Sequence, residues 1–408
     1  MEKSSDRLKL CRVVTVPTTF VSLLRHQLKT ITENDIDVTI VSSPEGQLDT
    51  ISRELGIPSH AIEMSRAITP LDDIRSVIRM YRLFRAERFD IVHSSTAKAG
   101  LVAALAGRLA RVPVRLHTYT GQRWVELKGV RRWAIRLCDR IMALLNTHCY
   151  ADSHSQRAFL IRDGIVPASK ISVLASGSIS GVDLNRFDPD AWGGVTAAAT
   201  RRELGISDDA LVILFVGRVN RDKGVIELLS AFEGLRFHDK SRELVLVGPF
   251  EPRYDPLPQS VVAGLNNNFR IHLVGRVPDP ERYMGMADIL CLPSYREGFG
   301  SVVIEAAAMG VPAVATSIVG LVDAVEQGKT GLLVASKNVE ELRAALATMI
   351  RDRGLRRRMG AAARKRARLL FDAAVVNQVV ADEYRNMYCP PRPCANAVAD
   401  SERLKRAA

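Results

Sequence analysis

Runs of apolar, β-branched residues alternate with longer segments of helical period from the start of this chain, and partway along the pattern stops and begins again. "RVVTVP", "DVTIVSS", "DIVHSS" and "VPVRLHT" are separated by stretches such as "FVSLLRHQLKTITEN" and "AKAGLVAALAGRLA". Strand, helix, strand at this spacing predicts a parallel sheet covered on both faces. A polar break, "GSISGVDLNRFDPDAWGG" (Gly177 to Gly194), interrupts the series. Beyond it come "ALVILFVG", "ELVLVG", "FRIHLVG", "ADILCLPS" and "VPAVAT", each followed by a helical pattern. Two doubly wound domains joined near residue 190 are the simplest account, and 408 residues are enough for two such cores. After Tyr388 the tail "CPPRPCANAVADSERLKRAA" has little to bury, so residues 389–408 are expected to be disordered.

Composition narrows the class. Cys11, Cys138, Cys149, Cys291, Cys389 and Cys394 are scattered, with no CxxC pair and no zinc spacing, which reads as reduced thiols in a cytoplasmic protein. No apolar run has the length of a membrane span, and "MEKSSDRLKLCRVV" lacks the apolar core of a signal peptide. The net charge is +12, and residues 101–150 hold nine Lys and Arg against two acidic side chains. An anionic partner is therefore expected. Nucleic acid lacks support, because there is no zinc-finger spacing, aromatic RNA-binding strand or helix-turn-helix. Phospholipid or a diphosphate ligand fits better.

In open parallel sheets ligands bind beyond the carboxyl ends of the strands. In "FVGRVNRDKGVIELLSAF" a strand ends in Gly217 and Arg218, with Lys223 at the entrance of the next helix. A helix N-terminus beside an arginine and a lysine suits a diphosphate. No GxGxxG or Walker motif is present, which argues against a dehydrogenase or an NTPase. In "YREGFGSVVIEAAAMGVP" the loop carries Glu297 and the following helix carries Glu305. Gly298 and Gly300 allow backbone amides close to an oxygen-rich ligand. Glu305 is placed to accept from the vicinal hydroxyls of a ribose, and Glu297 from a second sugar beyond the phosphates. One carboxylate per sugar, with cations and amides between, describes a site for a nucleotide diphosphate sugar.

"FVGRVNRDKG", "VGRVPDPERYMGMADILCLPSYREGFGSVVIEAAAMGVPAVAT" and "GLVDAVEQGKTGLLV" resemble the donor half of glycosyltransferase family 4, with E-x7-E intact as Glu297 and Glu305. The resemblance runs from about Arg12 to Tyr388. "TVPTTFVSLLRHQL", "DIVHSSTAKAGLVAALAGRLARVPVRLHTYTGQRW" and "GSISGVDLNRFDP" resemble the subgroup acting on polyprenyl-diphosphate-linked oligosaccharides in bacterial surface-polysaccharide assembly. This implies an α/β GT-B fold, two Rossmann-like domains facing each other across a cleft. Residues 1–190 would hold the acceptor and 191–372 a nucleotide-sugar donor, with UDP the family habit, and 373–388 would return to the N-terminal domain. The implied reaction is retaining transfer of a hexose or N-acetylhexosamine to a lipid-linked saccharide at the inner face of the cytoplasmic membrane. No metal, no cofactor and no enzymic nucleophile are implied.

Residue by residue, the resemblance implies donor contacts from Gly217, Arg218, Lys223 and Val277. It implies further donor contacts from Glu297 through Val302, comprising Gly298, Phe299, Gly300 and Ser301, and from Glu305. Acceptor contacts would come from Thr18, Lys98 and Thr120. Glu297, His117, Arg218 and Lys223 would be catalytic, with His117 closing its strand and facing the cleft, while His93 reads as structural. Lys98 reads equally well as a plain surface lysine. "DPD" at Asp188 to Asp190 has metal-pair spacing but sits in the interdomain segment and is discounted. "KGVRRWAIRLCDRIMALL" is amphipathic, with Arg131, Arg132, Arg136 and Arg140 placed for an anionic membrane or simply flanking a stripe that packs on the sheet. A GT-B nucleotide-sugar epimerase and a non-catalytic donor-binding subunit stay open as alternatives. Turnover of donor without acceptor would mark the first, and binding without transfer the second.

Overall fold

The computed structural model describes residues 7–65, 69–235, 241–250 and 255–388. In one half, β1 (Leu8–Val13), β2 (Ile36–Ser42), β3 (Ser59–Ala61), β4 (Ile91–Ser95), β5 (Val114–Tyr119), β6 (His148–Ala151) and β7 (Ile171–Ser172) form a sheet in the order β3-β2-β1-β4-β5-β6-β7. In the other, β8 (Leu211–Val216), β9 (Arg242–Val247), β10 (Ile271–Gly275), β11 (Ile289–Leu292), β12 (Ala313–Thr316) and β13 (Gly331–Val334) run β10-β9-β8-β11-β12-β13. Pairing between these neighbours is parallel, as in β1 with β4 and β8 with β11. Both orders reverse direction next to their first strand, which puts a crevice beyond β1/β4 and another beyond β8/β11.

The strand sequences follow from burial on two faces. Along β1, Leu10 joins a cluster with Ile36, Ile40, Leu24 and Leu28, whereas Cys11 and Val13 join Met80, Phe84 and Val102 on the opposite face. Successive side chains point to opposite sides of a strand, so both must be apolar when helices cover both faces. β8 and β9 are buried throughout apart from the half-buried Val216. Cys11, Cys149 and Cys291 are buried and Cys138 half-buried, all as free thiols, and burial pushes the Cys149 thiol up to about 12. Cys389, Cys394 and the tail read as disordered lie outside the described residues.

The chain crosses between the halves twice, and the crossings lie side by side. Val182 N donates to Phe371 O (2.7 Å) and Ala373 N to Val182 O (2.9 Å). The last described helix, Ala373–Tyr388, then packs on the helix Arg25–Glu33 of the first half. Its Tyr384 is inside that half, where the hydroxyl accepts from Arg12 Nη1 at 3.1 Å and meets His93 Nδ1 at 2.6 Å. Arg12 is 1% exposed, and its second nitrogen donates to Gln27 Oε1, whose amide in turn reaches Asn377 and the carbonyl of Ile179. His93 is held neutral, its pKa driven down by burial and by the Arg12 charge, and its other ring nitrogen meets Thr118 Oγ1 at 2.8 Å.

Tyr384→Phe keeps the ring and removes the one hydroxyl shared by Arg12 and His93. Leaving a buried charged donor without a partner costs on the order of 2 kcal/mol, so the variant should lose about that much unfolding free energy in a urea titration. Gln378→Ala, on the exposed side of the same helix, should change it by less than about 0.5 kcal/mol. Equal effects in the two variants would show that the hydroxyl contributes nothing specific.

Candidate functional site

β8 and β11 are adjacent, so the segments that follow them rise side by side from the sheet edge. After β8 come Gly217, Arg218, a single turn Arg221–Lys223 and the helix Val225–Glu233; after β11 come the Tyr295–Gly300 loop and the helix Ser301–Ala308. The loops are joined residue by residue. Tyr295 N donates to Asp222 O (2.9 Å) and its hydroxyl to Glu227 Oε1 (2.6 Å). Arg296 Nη2 lies 2.5 Å from Asp222 Oδ2, and Lys223 Nζ lies 2.5 Å from Glu297 Oε1, which also accepts from Ser294 Oγ at 2.8 Å. Arg218 Nη2 is 3.6 Å from the same Asp222 oxygen. Asp222-Lys223 thus faces Arg296-Glu297, opposite signs in register.

The geometry unites Arg218, Lys223 and Glu297, and adds Asp222 and Arg296, which the sequence reading passed over. A signal for them existed: each specific motif contains an acid beside a base. These side chains are mostly buried, and each cation has a carboxylate partner from the cluster. Gly217 N is bonded to Val247 O, ending the sheet. Gly300 precedes the helix at φ 88°, leaving the Ser301 and Val302 amides at a free N-terminus, while the Val303 amide bonds back to Gly300 O. Val277 and Val302 are half-buried against the core. Burial pushes the Glu305 carboxyl up to about 7, against the pull of Arg186, which is itself bound by Glu281 through two hydrogen bonds.

Four expectations need correction. Phe299 offers no side chain to a ligand: it is 2% exposed, its ring 5.2 Å from that of Phe371 in the core, so only its backbone is available. His117 does not close its strand, which continues to Tyr119, and does not face the cleft. It is 1% exposed, bonded to Ser94 Oγ at 2.9 Å and packed under Gly100 of the helix Ala97–Leu109, and burial drives its pKa down to about 3. Period-two alternation sends it to the face covered by the helix Ala97–Leu109. The Lys98 ammonium is bound by both oxygens of Asp73 at 2.6 Å, so it is neither a plain surface lysine nor a free cation. In the helix Gly129–Leu145, Arg136 and Arg140 are committed to the carbonyls of Asp163 and Gly164, which leaves Arg131 and Arg132. Thr18 donates to Gln47 Oε1. Asp188 of the DPD segment caps the short helix Pro189–Trp192 by accepting from Asp190 N.

Thr120 lies where the two halves touch. A Cβ added at Gly298 would stand 2.8 Å from the Thr120 carbonyl carbon and 2.8 Å from Asp152 Oδ2. One added at Gly320 (φ 90°) would stand 2.7 Å from the Gly298 carbonyl, so neither position accepts a side chain. Ser155 meets Asp323 and Gly320 N across the same seam, and Glu126 meets Lys337, whose ammonium sits 4.5 Å above the Tyr295 ring. Asp152, at the carboxyl end of β6, went unnoticed in the sequence although its strand-end position was the available signal. Its Oδ1 is buried with no partner, and burial alone pushes its carboxyl up to about 8.

Two parallel sheets of this topology, with a cationic, carboxylate-lined loop pair beyond β8 and β11, are the GT-B arrangement, and the likenesses to known proteins agree on the fold. The family described as "Glycosyl transferase 4-like domain" matches residues 21–177, and "Glycosyl transferases group 1" matches residues 197–366. The chain is 30% identical, over 93% of its length and 96% of the relative's, to the capsular polysaccharide biosynthesis glycosyltransferase CapM of Staphylococcus aureus. It therefore belongs to the group 1 glycosyltransferases, glycosyltransferase family 4. It is also 25% identical, over 87% of its length and 91% of the relative's, to the Escherichia coli UDP-Gal:alpha-D-GlcNAc-diphosphoundecaprenol alpha-1,3-galactosyltransferase. Among solved structures, Anabaena Alr3699/HepE in complex with UDP and glucose superimposes with a TM-score of 0.74 at 21% identity, covering 93% of this chain and all of that one, which shows the GT-B fold.

Asp152 makes stability depend on pH with a defined sign. Its carboxyl pKa is raised in the folded protein, so the contribution is fully present below the unfolded value near 4 and is lost as pH rises toward about 8. From this group alone the unfolding free energy should fall by up to about 1.4 kcal/mol per pH unit in that window. Asp152→Asn removes that slope, so the variant should gain on the wild type from pH 5 to pH 8 in denaturant titrations. A constant difference across that range would mean that Asp152 is charged in the seam.

Proposed function

We propose that the chain is a retaining glycosyltransferase that moves a hexose or N-acetylhexosamine from a uridine diphosphate sugar to a polyprenyl-diphosphate-linked saccharide in bacterial surface-polysaccharide assembly. The observation that carries this reading is the cross-paired cluster Arg218, Asp222, Lys223, Arg296 and Glu297 at the β8/β11 crevice of a chain alike over nearly its whole length to CapM. The E. coli relative is named for a UDP-galactose donor and an undecaprenol diphosphate acceptor, which supports that pair of substrate classes here.

The second half, residues 191–372, holds the donor and the first half, residues 1–190, the acceptor. The donor diphosphate takes Lys223 and Arg218 as its counter-charges and the amides of Gly298 to Val302 as hydrogen-bond donors. Lys223 then releases Glu297, whose carboxylate turns to hydroxyls of the sugar. Glu305 accepts from the ribose, and the backbone beside Val277 meets the base. As the bond from the sugar to the diphosphate breaks, charge grows on the leaving group, and fixed cations in a water-poor site stabilise it without reorganisation. The acceptor hydroxyl attacks from the same face, so no side chain acts as nucleophile. Thr120, at the seam, and Thr18 face the acceptor side. His117 acts at most through the packing of β5, and Lys98 through its Asp73 pair, by shaping the start of the helix Ala97–Leu109.

A lipid-linked acceptor puts the reaction at the inner face of the cytoplasmic membrane. Among the described residues no helix is long and apolar enough to cross a bilayer. Peripheral contact is supported by the helix Gly129–Leu145, where Val130 and Trp133 are 80% and 65% exposed beside Arg131 and Arg132.

Lys223→Ala and Arg218→Ala should each lower turnover at least about tenfold, roughly 1.4 kcal/mol of transition-state stabilisation, with little change in thermal unfolding. Wild-type rates on a polyprenyl-linked acceptor would place the diphosphate elsewhere. Transfer should also persist in excess EDTA. Complete loss there, restored by magnesium or manganese, would replace the cation-clamp mechanism with a metal-dependent one.

A further inference from the structure

The helix Pro70–Glu87 buries Ser76, Met80 and Phe84 and turns four large apolar side chains to water. Leu71 is 74% exposed, Ile74 57%, Ile78 44% and Tyr81 36%. Spacings of three, four and three residues set them on one stripe of the helix. Arg75, Arg79, Arg82 and Arg85 stand beside the stripe, and no carboxylate occurs from Ile74 to Ala86. Arg75 reaches Asp72; among the described residues the other three have no ion pair.

Its place in the fold matters as much as its surface. Asp73 holds Lys98, so the first turns lie beside the start of the helix Ala97–Leu109, at the carboxyl end of β4. Leu71 and Ile74 are thereby at the rim where strand ends open. The helix Ala97–Leu109 packs on Pro70–Glu87 along one side and on Gly129–Leu145 along the other. Two exposed faces, each apolar with flanking arginines, thus border one sheet edge.

We infer that the Leu71, Ile74, Ile78, Tyr81 face of this helix docks on an anionic phospholipid bilayer. The inference rests on the reading of the acceptor as lipid-linked. An amphipathic helix lying in the interface sinks its apolar stripe among acyl chains while flanking cations meet phosphate headgroups. A second copy of the chain is a poorer occupant, because a symmetric contact sets the same patch against itself and brings Arg79, Arg82 and Arg85 near their own counterparts. Docking by this face turns the β4 edge toward the lipid surface, where a membrane-held acceptor diphosphate resides.

The test uses the full chain and two variants, the triple Arg79→Gln, Arg82→Gln, Arg85→Gln and the double Ile74→Ser, Ile78→Ser. Each is sedimented with vesicles of phosphatidylcholine alone or mixed with phosphatidylglycerol, at low and high salt. The triple variant should bind anionic vesicles at least about tenfold more weakly and with a shallower salt dependence, since each interfacial arginine contributes and is screened within a Debye length. The double variant should weaken at every salt concentration. Both should keep the wild-type unfolding temperature and wild-type transfer to a water-soluble acceptor analogue. Wild-type partitioning of both variants overturns the inference. Loss of transfer to the soluble analogue does so too, assigning the face to the cleft, as does a wild-type dimer that the double variant dissociates. Transfer to a lipid-linked acceptor in detergent tests the underlying function separately: its absence with every nucleotide sugar sinks that reading however the vesicles behave.

Discussion

A buried guanidinium has to be met by whatever the fold brings to it, and Arg12 donates to two neutral side chains that tie together three parts of the chain. Tyr384 comes from the last helix, Gln27 from the first half's covering helix, and Gln27 is tied to Asn377 and to the Ile179 carbonyl of the first crossing. The desolvation cost of the charge is offset only while all of these are in place. Docking of the last helix is therefore linked to β1, β4 and β5 of the first half through Arg12, His93 and Thr118. Because Val182 and residues 371–373 are hydrogen-bonded to one another, the two crossings run paired beside this network.

The donor loops show the same economy with opposite chemistry. Without counter-charges, Arg218, Lys223 and Arg296 would repel one another in a mostly buried crevice. Asp222 and Glu297 occupy them meanwhile, each partner a few ångströms away and each pair linking the β8 segment to the β11 segment. On the proposed reading, binding a diphosphate is an exchange of counter-charges in a site already shaped for anions, with little reorganisation. On the same proposal the exchange at Lys223 frees Glu297, so that phosphate binding and sugar recognition follow from one contact.

Between the halves, the Thr120 backbone lies against Gly298, where an added side chain would meet it and Asp152, and Gly320 packs as closely on Gly298 from within the second half. Asp152 sits at this contact with an oxygen that no protein group answers. A small cavity, its polar lining from Arg12, His93, Thr118, Asp152 and Ser178 and its apolar lining from Leu174, Ile179 and Val380, lies between Asp152 and the buried arginine network. The first crossing at Ile179, the seam at Asp152 and the strands β1, β4, β5 and β6 thus border one cavity.

What the sequence determined by itself were the features written in local spacing. Apolar runs at strand length, separated by helical periods and restarted after Gly194, specify two parallel sheets, since only a doubly covered strand is apolar on both sides. The motif around Glu297, Gly300 and Glu305 specifies a loop and a helix N-terminus, and the family likeness follows from the same short segments. Tertiary structure alone decided direction and partnership. His117 was turned away from the cleft by the pleat of β5, and Phe299 was drawn inward by the room beside Phe371. Arg296 met Asp222 across 74 residues, and Asp152 came to Gly298 across a domain boundary. Such pairings depend on sheet order and on how two separately folded bodies meet, and a residue's immediate neighbours in the chain contain no record of either.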